Sequence, residues 1–145
     1  MLARVGCIAL MATACGGGSF NTNDSNPLVG SWTTATTSGM TTYTETVDVS
    51  PDGSLSVSLT TGGASCSGTL TNTGYTWTST ATTVTVSGTA TCSGSITCGA
   101  LSYDCSASKP GVTAGSCDYS LTNGNDTLAL TGCTGISNAT FTRVK

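Results

Sequence analysis

The chain has 145 residues, which is room for one domain. Only 8% of them are charged and none is histidine, so His-based acid–base catalysis, Ser-His and Cys-His nucleophile pairs and the commonest transition-metal ligand are excluded. Four scattered basic residues leave no electrostatic footprint for nucleic acid.

Segment 1–14, MLARVGCIALMATA, carries Arg4, an apolar run from Val5 to Ala12 and small residues before Cys15. That order defines a secretory signal peptide, and the run is shorter than the ~20 apolar residues a membrane-spanning helix needs. Ala12-Thr13-Ala14-Cys15 resembles the bacterial lipobox, with Ala12 where that motif usually carries Leu. The resemblance implies that Cys15 is acylated and begins the mature chain, so that membrane lipid is a partner. Segment 15–26 then reads as the lipidated cysteine and a flexible Gly, Ser and Asn tether. The implied location is the bacterial cell envelope, with the outer membrane first among its surfaces. The alternative is a secreted protein with a cysteine near its signal.

Of eight cysteines, setting aside Cys7 and Cys15 leaves Cys66, Cys92, Cys98, Cys105, Cys117 and Cys133. An even set in an exported chain reads as a disulfide framework, here three bridges with 15 possible pairings. The C-x-x-C spacing of zinc and redox sites does not occur, and neither metal nor cofactor is expected.

Residues 27–145 form the predicted domain, and its pattern has period two throughout. Tyr43, Glu45, Val47 and Val49 share one parity, against Thr42, Thr44, Thr46 and Asp48. Pro51-Asp52-Gly53 turns the chain into Leu55, Val57 and Leu59, which alternate with Ser and Thr. Gly62-Gly63 and Asn72-Thr73-Gly74 read as two further turns. Val84 and Val86 start another strand, 106–116 reads as the longest loop, and Asn123-Gly124 marks a tight hairpin. A last strand runs through Ala139, Phe141 and Arg143. Thr-rich strands at this spacing predict an all-β sandwich or barrel. Leu, Ile, Val and Phe supply only 19 of the 119 domain residues, so the bridges must offset a thin core.

Leu28-Val29-Gly30-Ser31-Trp32 opens the domain and Phe141-Thr142-Arg143-Val144 closes it. An opening G-x-W with a basic residue on the last strand resembles the lipocalin-like (calycin) barrels. The resemblance implies a small antiparallel up-and-down barrel of about 8–10 strands, here stapled by disulfides. It further implies that Trp32 plugs the closed end, that Arg143 packs across its ring, and that Gly30 allows the close approach.

Candidate sites are few. Ser106-Ala107-Ser108-Lys109 spells S-x-x-K, but Pro110 follows at once and the motif's companions are missing. Glu45 shares the apolar parity, so it orients a polar ligand in a cavity, pairs with Arg143, Lys109 or Lys145, sits at a strand end, or faces solvent through a bulge. Tyr43, Tyr75 and Trp77 join it as candidate cavity residues, with Tyr43 also suited to the core. Asn23, Asn125 and Asn138 sit in N-x-S/T triplets that a bacterial envelope protein leaves unused. The expected protein is a non-catalytic lipoprotein that binds a small or apolar molecule or an envelope partner. The alternative is a filled structural barrel without ligand.

Overall fold

The computed structural model describes residues 26–105 and 112–145. The signal, Cys15, most of the tether and the Ser106–Lys109 motif lie outside the described residues. Nine strands form: β1 (Gly30–Ser38), β2 (Thr41–Val49), β3 (Ser54–Gly63), β4 (Cys66–Ser79), β5 (Thr83–Cys98), β6 (Leu101–Asp104), β7 (Val112–Thr122), β8 (Thr127–Thr134) and β9 (Ala139–Arg143). No helix occurs among the described residues.

β1 to β5 make an antiparallel meander. β7 returns to the first half of β5, β8 and β9 follow, and β9 pairs with β1. The result is a closed barrel of eight antiparallel strands, with β6 outside the ring on the far half of β5. The period-two alternation places the walls: Trp32 lies opposite Val47 and Val47 opposite Val57, so one parity faces the interior and most threonines face out, Thr41 and Thr61 being buried exceptions of inward parity. Outward hydroxyls meet across strands, as in Thr37 with Thr42 at 3.2 Å and Thr60 with Thr69 at 3.0 Å. Such cross-strand pairs are the sheet's own lateral support.

The core gathers at one end of the barrel. Leu28, Trp32, Val49, Leu55, Trp77, Val84, Cys117, Leu128 and Phe141 are buried together there. At this end sit the β2–β3 turn, which Trp77 clamps by donating its indole Nε1–H to the Ser50 carbonyl at 3.0 Å, and the β7–β8 turn. The latter holds Asn123, Gly124 and Asn125 in the left-handed region, at φ 54°, 66° and 70°.

Two sequence expectations need correction. Asn72-Thr73-Gly74 is not a turn but the middle of β4, where the register against β5 shifts. Gly74 adopts φ 91°, and a Cβ there would stand 2.6 Å from the Thr89 carbonyl oxygen, so the glycine permits a bulge rather than a reversal. The 106–116 loop is also shorter than expected, because residues 112–116 belong to β7 and pair with β5 and β8. Gly62-Gly63 ends β3 just before the β3–β4 reversal.

All six domain cysteines pair: Cys66 with Cys98, Cys92 with Cys105, and Cys117 with Cys133. The first two lock the far halves of β4, β5 and β6, remote from the packed end, and the third ties β7 to β8. Bridges of this loop length typically contribute about 2–4 kcal/mol each, a large share of stability for a domain with so few apolar residues. Full reduction is therefore expected to lower the thermal midpoint of the domain by more than about 10 °C. Superimposable melts with and without dithiothreitol would show that the bridges carry no such weight.

Candidate functional site

The two ends of the domain sequence meet at the closed end of the barrel. Trp32 is fully buried, and its indole Nε1–H donates to the Leu28 carbonyl at 2.8 Å, which folds the 26–29 segment under the barrel floor. The Arg143 guanidinium carbon lies 4.1 Å from the Trp32 ring centroid. Its Nη1 donates to the Val29 carbonyl at 2.8 Å, its Nη2 to the Pro27 carbonyl, and its Nε to the Asn125 carbonyl at 3.0 Å. Gly30 has φ 133°, and a Cβ there would sit 2.6 Å from Arg143 Nη1. Its missing side chain is what lets the guanidinium lie against the first strand.

Above this floor the interior is not filled. A cavity of about 370 Å³ runs up the barrel, lined at its base by Leu28, Val49, Leu55, Trp77, Val84, Leu128 and Phe141. Higher up the lining consists of Val47, Val57, Tyr75, Val86, Leu130 and Ala139, with Glu45, Ile136 and Ser137 at the top. The base residues are buried and the upper ones half-exposed, so the cavity opens away from the Trp32 end. A volume of this size lies at the lower end of the ~300–1,000 Å³ range of small-molecule sites, and the mostly apolar lining with few polar groups is their usual chemistry.

Of the four candidate cavity residues, Glu45, Tyr75 and Trp77 line the cavity. Tyr43 does not: it is 37% exposed and belongs to neither lining nor core. It shares the inward parity of Glu45 but sits one step further along β2, opposite Thr36 of β1. The β9 ladder on β1 ends at Thr33, short of Thr36, and the smaller inward side chains of Thr61, opposite Tyr43, and of Thr41 beyond it are buried where the tyrosine is not.

Glu45 is half-buried, and no hydrogen bond or ion pair to its carboxylate exists among the described residues. Of the partners open to it from sequence, Arg143 is committed to the barrel floor and Lys145 pairs with Asp126 at 2.7 Å. Lys109 lies outside the described residues. The Asn138 side chain accepts from the Cys133 backbone N–H at 3.0 Å and helps hold the β8–β9 loop that carries Ile136 and Ser137 to the mouth. The alternation of β8 and β9 marks Leu128, Leu130, Ala139 and Phe141 as inward, but loop residues Ile136 and Ser137 had no sequence signal for the mouth.

The fold and site together define a disulfide-stapled, closed eight-stranded antiparallel barrel with a one-ended apolar cavity. Comparison with known protein families, curated proteins and solved structures returns no match.

Replacing Arg143 with Lys keeps the charge but loses the planar fork that serves three carbonyls at once. The expected cost is about 1–3 kcal/mol in denaturant unfolding. An Arg143→Lys variant as stable as the wild type would mean that the guanidinium is not the clasp of the closed end.

Proposed function

We propose that this chain is a non-catalytic binding module that holds a small apolar molecule in its barrel and is displayed from the bacterial envelope on an acylated Cys15. The observation that carries the reading is the open apolar cavity of about 370 Å³ above a sealed floor. A filled structural barrel would have its interior positions packed by side chains. A binding rather than catalytic role is supported by the lining, which offers one carboxylate, Glu45, without a second acid or base placed beside it. The opening G-x-W with Arg143 across the Trp32 ring supports kinship with the lipocalin-like barrels.

Export is supported by the signal-like 1–14 segment and the three bridges, and anchoring by the lipobox-like residues at Cys15. The tether reaches the barrel at its closed end, where Asn26 Nδ2 donates to Ser79 Oγ at 3.2 Å beside the β4–β5 turn.

Two measurements test the two halves of this reading. N-phenyl-1-naphthylamine is expected to gain fluorescence on binding the purified domain, and Val57→Phe, which places a ring in the cavity, is expected to weaken it at least tenfold with the melt unchanged. Equal binding by both proteins, or none by the wild type, would favour a filled barrel. Full-length chain made in a Gram-negative host fed labelled palmitate is expected to carry label and to sediment with membranes, whereas Cys15→Ser loses both. An unlabelled, soluble wild-type product would make the protein secreted.

A further inference from the structure

Resting on that reading, we infer that the cavity selects apolar molecules with a cationic head, and that Glu45 is the residue that recognises the head. The lining is apolar from the floor to the mouth except for Tyr75, Ser137 and the Glu45 carboxylate, the indole N–H of Trp77 being spent on the Ser50 carbonyl. Glu45 occupies an inward position between Tyr43 and Val47, with Thr34 on one neighbouring strand and Leu59 on the other. A carboxylate there loses part of its hydration, which is unfavourable unless hydrogen-bond donors or positive charge replace the lost water. None does so from the described residues, because Arg143 is bound at the floor and Lys145 to Asp126. The missing partner is supplied by the ligand.

Charge decides which ligand. An anionic amphiphile would bring its own carboxylate to Glu45 at the mouth, in a chain of net charge −3 whose two described cations are committed at the other end of the barrel. A protonated primary amine brings donors and a positive charge to the same place, while its apolar tail runs down toward Trp77 and Phe141. Charge-assisted hydrogen bonds of this kind are worth roughly tenfold or more in affinity over a neutral head.

The test compares n-octylamine, n-octanol and octanoate as competitors for N-phenyl-1-naphthylamine on the wild-type protein, Glu45→Gln and Lys109→Gln. The expected order on the wild type is amine about tenfold tighter than alcohol, with octanoate weakest. Glu45→Gln is expected to bring the amine down to the level of the alcohol and leave the alcohol unchanged, while Lys109→Gln preserves the amine preference. If the alcohol competes but the amine holds no advantage, or keeps it in Glu45→Gln, the head-group assignment is wrong and the binding module stands. A Lys109→Gln variant that gains the amine preference only on loss of that lysine would make Lys109 the native partner of Glu45 and overturn the assignment. If none of the three competes with the bound dye, the assignment falls while the binding module stands on the dye, and if the wild type binds no dye both fall.

Discussion

Closure of the barrel depends on one side chain. Every other neighbouring pair of barrel strands shares a longer ladder, but β1 and β9 meet only through Trp32 opposite Arg143 and Thr33 opposite Thr142. Arg143 makes that short seam sufficient. A guanidinium has donors in a fixed fork and a flat face. Here the donors satisfy the carbonyls of Pro27, Val29 and Asn125 and the face covers Trp32. The incoming segment, the first strand, the β7–β8 turn and the last strand are thereby held by one group. Backbone bonds extend the clasp, with Arg143 N–H donating to the Asp126 carbonyl at 2.9 Å and Val144 N–H to the Ser31 carbonyl at 2.9 Å.

Two of the three disulfides act where that clasp does not reach, while Cys117–Cys133 lies within the floor cluster. Beyond Thr33 the wall of β1 to β6 continues with no β9 opposite, and its inward positions include Gly68 and Gly94, which contribute no apolar surface. Burial is correspondingly sparse, with Ile96 and Cys66 among the few buried apolar side chains. Cys66–Cys98 closes the free end of the long β4–β5 hairpin, and Cys92–Cys105 fastens β6 to it. Covalent restraint thus stands in for hydrophobic burial on the side of the molecule that has least of it.

Much of this was legible in the residues, and the misreadings have physical causes. Strict alternation around Pro51-Asp52-Gly53 and Asn123-Gly124 shows the hairpins, because side-chain direction in a strand has period two and those turns need residues suited to reversed backbone. The same parity marks Glu45 as inward. Parity gives direction but not burial, however: Tyr43 is exposed while Thr61, opposite it with the same parity, is buried. Asn72-Thr73-Gly74 has the composition of a turn, yet the ladder on both sides of β4 continues past it and absorbs the glycine as a bulge. The bridge pairing was open among 15 possibilities, since it depends on registers such as Cys66 opposite Cys98 that no spacing reveals.

The cavity follows from the same scarcity that makes the bridges necessary. An eight-stranded barrel has an interior that side chains can just fill, provided enough of them are large. In this chain Trp32, Trp77 and Phe141 are gathered at the floor with three leucines, and the apolar positions above them carry valine, alanine, leucine and isoleucine beside a single large ring, Tyr75. A void between loosely held elements would collapse until its walls touched. Here each wall strand is paired on both flanks, β1 and β9 only at the floor, so moving inward would break ladders that the small apolar side chains could not repay in contact. The closed circuit therefore preserves the space that the composition leaves empty, and the seam that Arg143 holds shut at the floor is also what keeps the cavity open above it.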